Sequence, residues 1–418
     1  MKRPNFVLCF LILAVASFAV VLPSSAGTLV MKYAPDGERL WVVADDSEEG
    51  IYDAMAFLDP QGNLYVDQYY YLAKYRPDGT ETWRYDDEVR SWATDSLGNL
   101  FVPCGEHCVS KLDPRGIVLW EQDLGKQKIS SITVDVSDNL LLHTYRVFGI
   151  DKESGQIMKF TTDGKHLWTF DYYASGDVDV GSYIHEVYAD QQGNFYFYSM
   201  KDGLDGLAKF DGDANLVWRA GLSDVYPEFI TLDEEGNVYV ASGGNYVGNL
   251  LPGATFAVAK VNAAGEREWT RSHNWWPGSD YGSTLAGIAL TPDGGLTIVG
   301  YAGGWSTIVF SPDGEEVWAA QLSDYLLDPL AVSVDANGNV ISVGQYCTCG
   351  EEEIACCEMV VVKYLADGTW DWGTTYNHPA DDRDEASAVA TDEEGNIYVV
   401  GRYGYADDDL DENEGCGC

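Results

Sequence analysis

The chain has 418 residues, 67 of them Asp or Glu against 25 Lys or Arg, which gives a formal charge of −42 and a pI near 4.1. Hydrophobic residues make up 46%, too many for a disordered acidic tail and enough to fill a core. The charge excludes nucleic acid and anionic membrane surfaces as partners, because little here would neutralise phosphates.

The first predicted element is a secretory signal peptide, residues 1–26. Lys2 and Arg3 form its positive start, residues 6–22 are apolar, and Pro23-Ser24-Ser25-Ala26 supplies small residues for cleavage after Ala26. An uncleaved N-terminal anchor is the other reading. No second apolar stretch follows, so the mature chain is expected to be secreted, periplasmic or cell-surface, without a membrane span. Eight Cys remain after Cys9 departs, an even number that favours disulfides in an exported protein. Cys104 and Cys108 flank a short turn, Cys347, Cys349, Cys356 and Cys357 crowd one loop, and Cys416 and Cys418 end the chain. Zinc is the rival reading of the four-Cys loop, but its spacings do not match the usual C-x₂₋₄-C pairs.

From residue 32 onward one motif recurs eight times: Lys, a turn ending in Asp-Gly or a variant, then Trp. The copies are KYAPDGERLW (32–41), KYRPDGTETW (74–83), KLDPRGIVLW (111–120), KFTTDGKHLW (159–168), KFDGDANLVW (209–218), KVNAAGEREW (260–269), VFSPDGEEVW (309–318) and KYLADGTWDW (363–372). A second motif alternates with it: an apolar stretch, Asp, two residues, Gly-Asn, then alternating apolar residues. FLDPQGNLYV (57–66), ATDSLGNLFV (93–102), TLDEEGNVYV (231–240), SVDANGNVIS (333–342) and ATDEEGNIYV (390–399) show it clearly; 134–142, 189–197 and 290–299 are degenerate copies. Each motif reads as a β-hairpin, with period-two apolar residues around turns where Gly, Asn or Asp takes a positive φ. Two hairpins make a four-stranded sheet of propeller-blade size.

With the Gly-Asn hairpin as strands A and B and the Trp hairpin as C and D, seven blades are complete. A C–D hairpin is left over near the N-terminus and an A–B hairpin near the C-terminus, which together make an eighth. The expected fold is all-β: an eight-bladed propeller over residues 27–405, closed by pairing the two ends, with an acidic Cys-containing tail at 406–418.

These repeats resemble bacterial β-propeller repeats of the SBBP type and, more loosely, the tryptophan-docking repeats of pyrroloquinoline-quinone (PQQ) enzymes. That resemblance implies that Trp41, Trp83, Trp120, Trp168, Trp218, Trp269, Trp318 and Trp372 pack between blades. It is unspecific for activity, since propellers host many functions.

Comparing the repeats with one another exposes a charge pattern. Lys starts strand C in seven copies and Asp ends strand A in seven, at Asp59, Asp95, Asp135, Asp190, Asp233, Asp335 and Asp392. The exceptions, Val309 and Thr291, fall in the same blade. A shared loss fits groups that meet, since a buried charge left alone is costly. An Asp–Lys pair is therefore expected in seven blades, Lys32 serving Asp392 across the closure.

Function is expected on the face that carries the irregular B–C and D–A loops. The D–A loops are acidic, which would draw cations to the channel mouth. Calcium is the cation candidate, with Asp381, Asp382 and Asp384 as candidate ligands; a solvated acidic surface is the plainer reading. Trp275, Trp276 and Trp305 are candidate ligand-stacking rings. No Ser-His-Asp or metal triad can be drawn, and no catalytic residue is assigned. The expectation is a monomeric, non-enzymatic binding or scaffold protein for an extracellular protein, glycan or cation. The alternative is a calcium-dependent or quinoprotein-like enzyme at the same face. PQQ is disfavoured, although the adjacent Cys356-Cys357 pair speaks for it as a vicinal disulfide.

Overall fold

The computed structural model describes residues 27–45, 55–67, 71–89, 91–148, 152–171, 186–199, 206–222, 225, 227–243, 256–273, 283–322, 327–348, 356–379 and 383–403. They form eight four-stranded antiparallel sheets and no helix, an eight-bladed β-propeller. Blades 1 to 7 span residues 55–85, 93–123, 128–171, 188–221, 229–273, 284–322 and 327–376. Blade 8 joins the chain ends, with sheet order Arg39–Asp45, Gly27–Tyr33, Ile397–Tyr403, Glu385–Thr391. Its middle pairing runs from Gly27 opposite Tyr403 to Tyr33 opposite Ile397. Closure pairs Gly27–Tyr33 and Ile397–Tyr403 on both sides, so neither chain end leaves an inner strand of its hairpin as an open edge, where chains aggregate.

The blades bury their middles. Strands B and C are buried along their length in blade after blade, because they are covered on both faces by adjacent sheets. Strand D, at the rim, holds only exposed and half-buried residues in blades 2, 6 and 8.

The Trp repeat ties each blade to the next. Each indole N–H donates to a backbone carbonyl in the following C–D turn at 2.9–3.1 Å: Trp41 to Pro77, Trp83 to Pro114, Trp120 to Thr162, Trp168 to Gly212, Trp218 to Ala263, Trp269 to Pro312, Trp318 to Ala366, and Trp372 to Pro35. The ring faces the turn glycine closely. A Cβ on Gly79 would lie 2.9 Å from Trp41 Cδ2, and its φ of +84° already favours Gly. The Gly-Asn motif builds the other turn. Asp Oδ1 accepts the N–H of the Asn four residues on at 2.8–2.9 Å in the seven blades that have the Asp.

The repeat Lys stands next to last in strand C, beside the C–D turn, rather than at its start, and the expected charge pair is present in five blades. Lys74–Asp59, Lys111–Asp95, Lys159–Asp135, Lys209–Asp190 and Lys32–Asp392 lie at 3.3, 2.8, 2.8, 3.2 and 3.8 Å. In blades 5 and 7 the expectation fails. Lys260 pairs with Glu268 and Lys363 with Asp371, each at 3.2 Å. The reason is local: in these two blades alone the residue before the Trp is acidic, whereas elsewhere it is Leu, Thr or Val. That carboxylate stands across the C–D ladder and remains partly solvated, so pairing with it costs less desolvation than pairing with the deeper Asp.

Blades differ chiefly at strand A, the innermost. It has two to four residues in blades 1, 2, 4 and 5, but seven or eight in blades 3, 6, 7 and 8. Each long strand carries a register shift, at Ser130, Ala286, Leu330 and Ser387. Blades 3 and 7 also have the longest B–C hairpins, nine residues per strand, and stand opposite one another in a ring of eight.

Candidate functional site

The bulged inner strands of blades 6, 7 and 8 are contiguous, and a glycine in strand B permits each bulge. Gly300, Gly344 and Gly401 stand opposite Leu285, Pro329 and Ala386. A Cβ on Gly344 would fall 2.0 Å from Asp328 O, and one on Gly401 2.0 Å from Glu385 O. The sequence signal is Val-Gly followed by Tyr or by a polar residue and Tyr, at 299–301, 343–346 and 400–403.

Beyond each bulge the next residue pair is polar: Thr284 opposite Tyr301, Asp328 opposite Gln345, and Glu385 opposite Arg402. These pairs sit at the D–A end of the inner strands, the loop-face mouth of the channel. Bulges re-aim side chains in this way, and they favour functional positions.

The polar pairs of blades 7 and 8 interact. Arg402 donates to Glu385 Oε2 at 3.0 Å, and both side chains are mostly buried. Burial pushes the Asp328 carboxyl above the usual carboxylate range; a hydrogen bond from Gln345 opposes this, and the charge of Glu385 adds to it. Gln345 is 9% exposed, and its Oε1 is buried with no hydrogen-bond partner. The segment before Glu385 folds inward: Asp384 is fully buried, its N–H donates to the Cys357 carbonyl, and its Oδ2 accepts the His378 N–H. The His378 ring lies on Tyr403, with centroids 3.9 Å apart.

Of the calcium candidates, Asp384 is thus a buried carboxylate engaged by a backbone N–H, and Asp381 and Asp382 lie outside the described residues. Among the described residues no three His, Cys, Asp or Glu gather as a metal-binding group. Trp275 and Trp276 also lie outside them. Trp305 corrects the expectation of a surface ring: it is 1% exposed, and its indole N–H donates to Ser342 Oγ of blade 7 at 3.1 Å. The B–C connection here is only three residues long, so Trp305 already opens strand C (Trp305–Phe310).

Among the described residues two disulfides brace the loop face. Cys104–Cys108 closes the B–C turn of blade 2, and Cys347–Cys357 joins directly opposed residues of strands B and C in blade 7. The second replaces the vicinal pair: Cys357 is bonded to Cys347, so it is not joined to Cys356. Cys349, Cys416 and Cys418 fall outside the described residues.

Several loop-face acids are already engaged. Asp45 accepts from Arg84 at 2.6 Å and from the Tyr71 hydroxyl at 2.8 Å, Glu106 meets Lys128 at 3.3 Å, and Asp87 accepts the Gly105 N–H. In the sequence Asp328 and Glu385 are two acids among many in the D–A loops, and no repeat position marks Gln345 or Arg402.

No family model and no curated protein matches the sequence. Solved structures match by fold. The Dos1 propeller is 10% identical, with a TM-score of 0.51, covering 89% of this chain and 80% of that one. BamB from Moraxella catarrhalis is 11% identical, with a TM-score of 0.48, covering 84% and 99%. The Cps50 (Swd1) propeller from Myceliophteria thermophila is 9% identical, with a TM-score of 0.49, covering 73% and 94%. This chain is a β-propeller repeat protein. At such identities the likeness concerns the fold alone. Among the described residues no helix is long and apolar enough to cross a membrane.

Proposed function

We propose that the protein is an exported, non-enzymatic binding propeller that presents its loop face to an extracellular protein or glycan. One observation carries this reading: the two faces differ in kind. The A–B and C–D turns repeat one Asx-turn and one Trp-docked turn around the disc. The loop face carries the three re-aimed polar pairs, both disulfides and the two opposed long hairpins. A rigid, regular scaffold with one individualised face is how loops are held for recognition. The ring of Trp-to-turn hydrogen bonds supports assigning the repeats to the tryptophan-docking type. The leader-like residues 1–26 support export.

The test immobilises the mature protein and probes it with glycan and secreted-protein panels. It runs beside a loop-face variant, Asp328→Asn with Gln345→Leu, and a turn-face variant, Asp36→Asn with Asp78→Asn. Binding lost only in the first supports the reading. Equal loss in the turn-face variant overturns it.

The alternative, an enzyme at the channel mouth, draws on the raised Asp328 carboxyl near Glu385, a pairing suited to acid–base work. Turnover of any substrate that is abolished by Asp328→Asn would favour it.

A further inference from the structure

The junction of blades 7 and 8 holds an arrangement that the fold does not need. Every repeat-derived cation there has its anion: Lys363 meets Asp371, and Lys32 meets Asp392. At the channel mouth the balance differs. Among the described residues Asp328 and Glu385 contribute two negative charges and Arg402 one positive, leaving one negative charge at the cluster. Arg383 and Asp384, directly before Glu385, add one charge of each sign and do not change it. Beside this charge lies the Gln345 amide, nine-tenths buried, directly opposite Asp328 across the strand ladder and carrying a carbonyl oxygen with no donor. A buried acceptor left unmade costs about 1–3 kcal/mol, so a donor at this position would be rewarded.

We propose that this junction binds a primary ammonium group, held by the Asp328 carboxylate and Gln345 Oε1 with Glu385 alongside. The proposal rests on the reading of the loop face as a binding face and names the chemistry it takes. An ammonium brings one positive charge and three N–H donors. It therefore matches both the single excess negative charge and an acceptor set drawn from neighbouring side chains. A calcium ion fits less well. It takes six to eight oxygens at 2.3–2.6 Å and favours several carboxylates, whereas one of the two here is already held by Arg402. The overall charge of −42 raises the local concentration of any cationic ligand. A lysine side chain of a partner protein and a free small amine share this chemistry.

The probes are Nα-acetyl-lysinamide and cadaverine, titrated calorimetrically into the full mature protein at fixed ionic strength, with the Nε-acetylated lysine derivative and calcium chloride as comparisons. The expected result is saturable binding of the amines and none of the Nε-acetylated compound. Gln345→Leu and Asp328→Asn should each weaken it about tenfold or more, the equivalent of one lost charge-assisted hydrogen bond. Gln345→Met serves as a second, volume-conserving variant, and an unchanged melting profile identifies variants that remain folded. A lysine-bearing partner would show as tighter binding of lysinamide than of cadaverine; a free-amine site would show the reverse, and either supports the proposal. Absence of saturable amine binding, equal binding by the folded variants, or calcium binding that the amines do not compete for would overturn it. Such failure would leave the loop-face reading standing if the partner panel still distinguishes the two faces.

Discussion

The indole N–H of Trp372 donates to the carbonyl oxygen of Pro35 at 3.0 Å, across 337 residues of sequence. Lys363 Nζ reaches the same oxygen at 2.6 Å. Blade 7 thereby docks on the N-terminal hairpin by the contact that links every other adjacent pair. The ring closes without a special joint.

Closure should therefore be energetically like any other blade junction. Trp372→Ala should cost about 3–5 kcal/mol, as for other large aromatic truncations. Trp372→Phe, which keeps most of the packing, should cost about 1 kcal/mol through the lost hydrogen bond. Gly37→Ala should cost at least about 1–2 kcal/mol, because its φ is +89° and the new Cβ would sit 2.9 Å from Trp372 Cδ2. Urea unfolding of these three beside Trp120→Phe checks the equivalence, and a markedly larger loss at Trp372 would refute it.

The exchange of partners by the repeat lysines is open to double-mutant cycles. Lys111 and Asp95 are almost fully buried, so their coupling should be about 2 kcal/mol, while that of Lys260 with Asp233 should be under about 0.5 kcal/mol. Glu268→Leu removes the competing carboxylate. It should turn Lys260 back to Asp233 and raise their coupling above about 1 kcal/mol. A coupling that stays near zero in that background would show that blade 5 geometry, rather than competition, sets the pairing.

Acid should weaken the fold in two stages. His143 is 3% exposed, and burial lowers its pKa to about 4 from 6.5. Between these values the unfolded chain binds a proton that the folded chain refuses. Stability is therefore complete above pH 6.5 and falls as pH drops toward 4, by about 3 kcal/mol in all. Asp95, Asp135 and Asp190 act lower. Burial pushes them up, but hydrogen bonds from Lys or Asn and, at Asp190, from Tyr196 outweigh it, and each carboxyl ends below its ordinary value of 3.8. Their contribution is present above that value and is lost as pH falls through the folded pKa. Melting temperature against pH should show both limbs, and His143→Gln should flatten only the upper one.

Reduction should loosen the loop face before the ring. Cys347–Cys357 closes a loop of about ten residues and Cys104–Cys108 one of about four, worth roughly 2.7 and 2 kcal/mol by chain entropy. Hydrogen exchange after dithiothreitol treatment should rise first in the B–C hairpin of blade 7, with the Trp-docked turns still protected. Simultaneous loss at both faces would argue against independent loops.

The repeats alone determined the blade count, the strand frame and the closure. A turn whose Gly needs a positive φ and a strand with period-two burial leave the same mark in every copy. The acidic residues before Trp269 and Trp372 mark the two blades whose lysines depart from the expected pairing, a signal that the Asp–Lys pattern by itself did not use. What the tertiary structure decided lies where copies differ. Ala286, Leu330 and Ser387 are single extra residues in inner strands, and each shifts the register of everything beyond it. That shift sets Asp328 beside Gln345 and Glu385 beside Arg402. Ring adjacency then brings together two pairs that span 74 residues of chain. Cys357 chose Cys347 over its neighbour because strand register put them face to face, and Trp305 went inward because the loop before it is only three residues long. Register and adjacency are properties of the assembled sheet, so no local pattern could carry them.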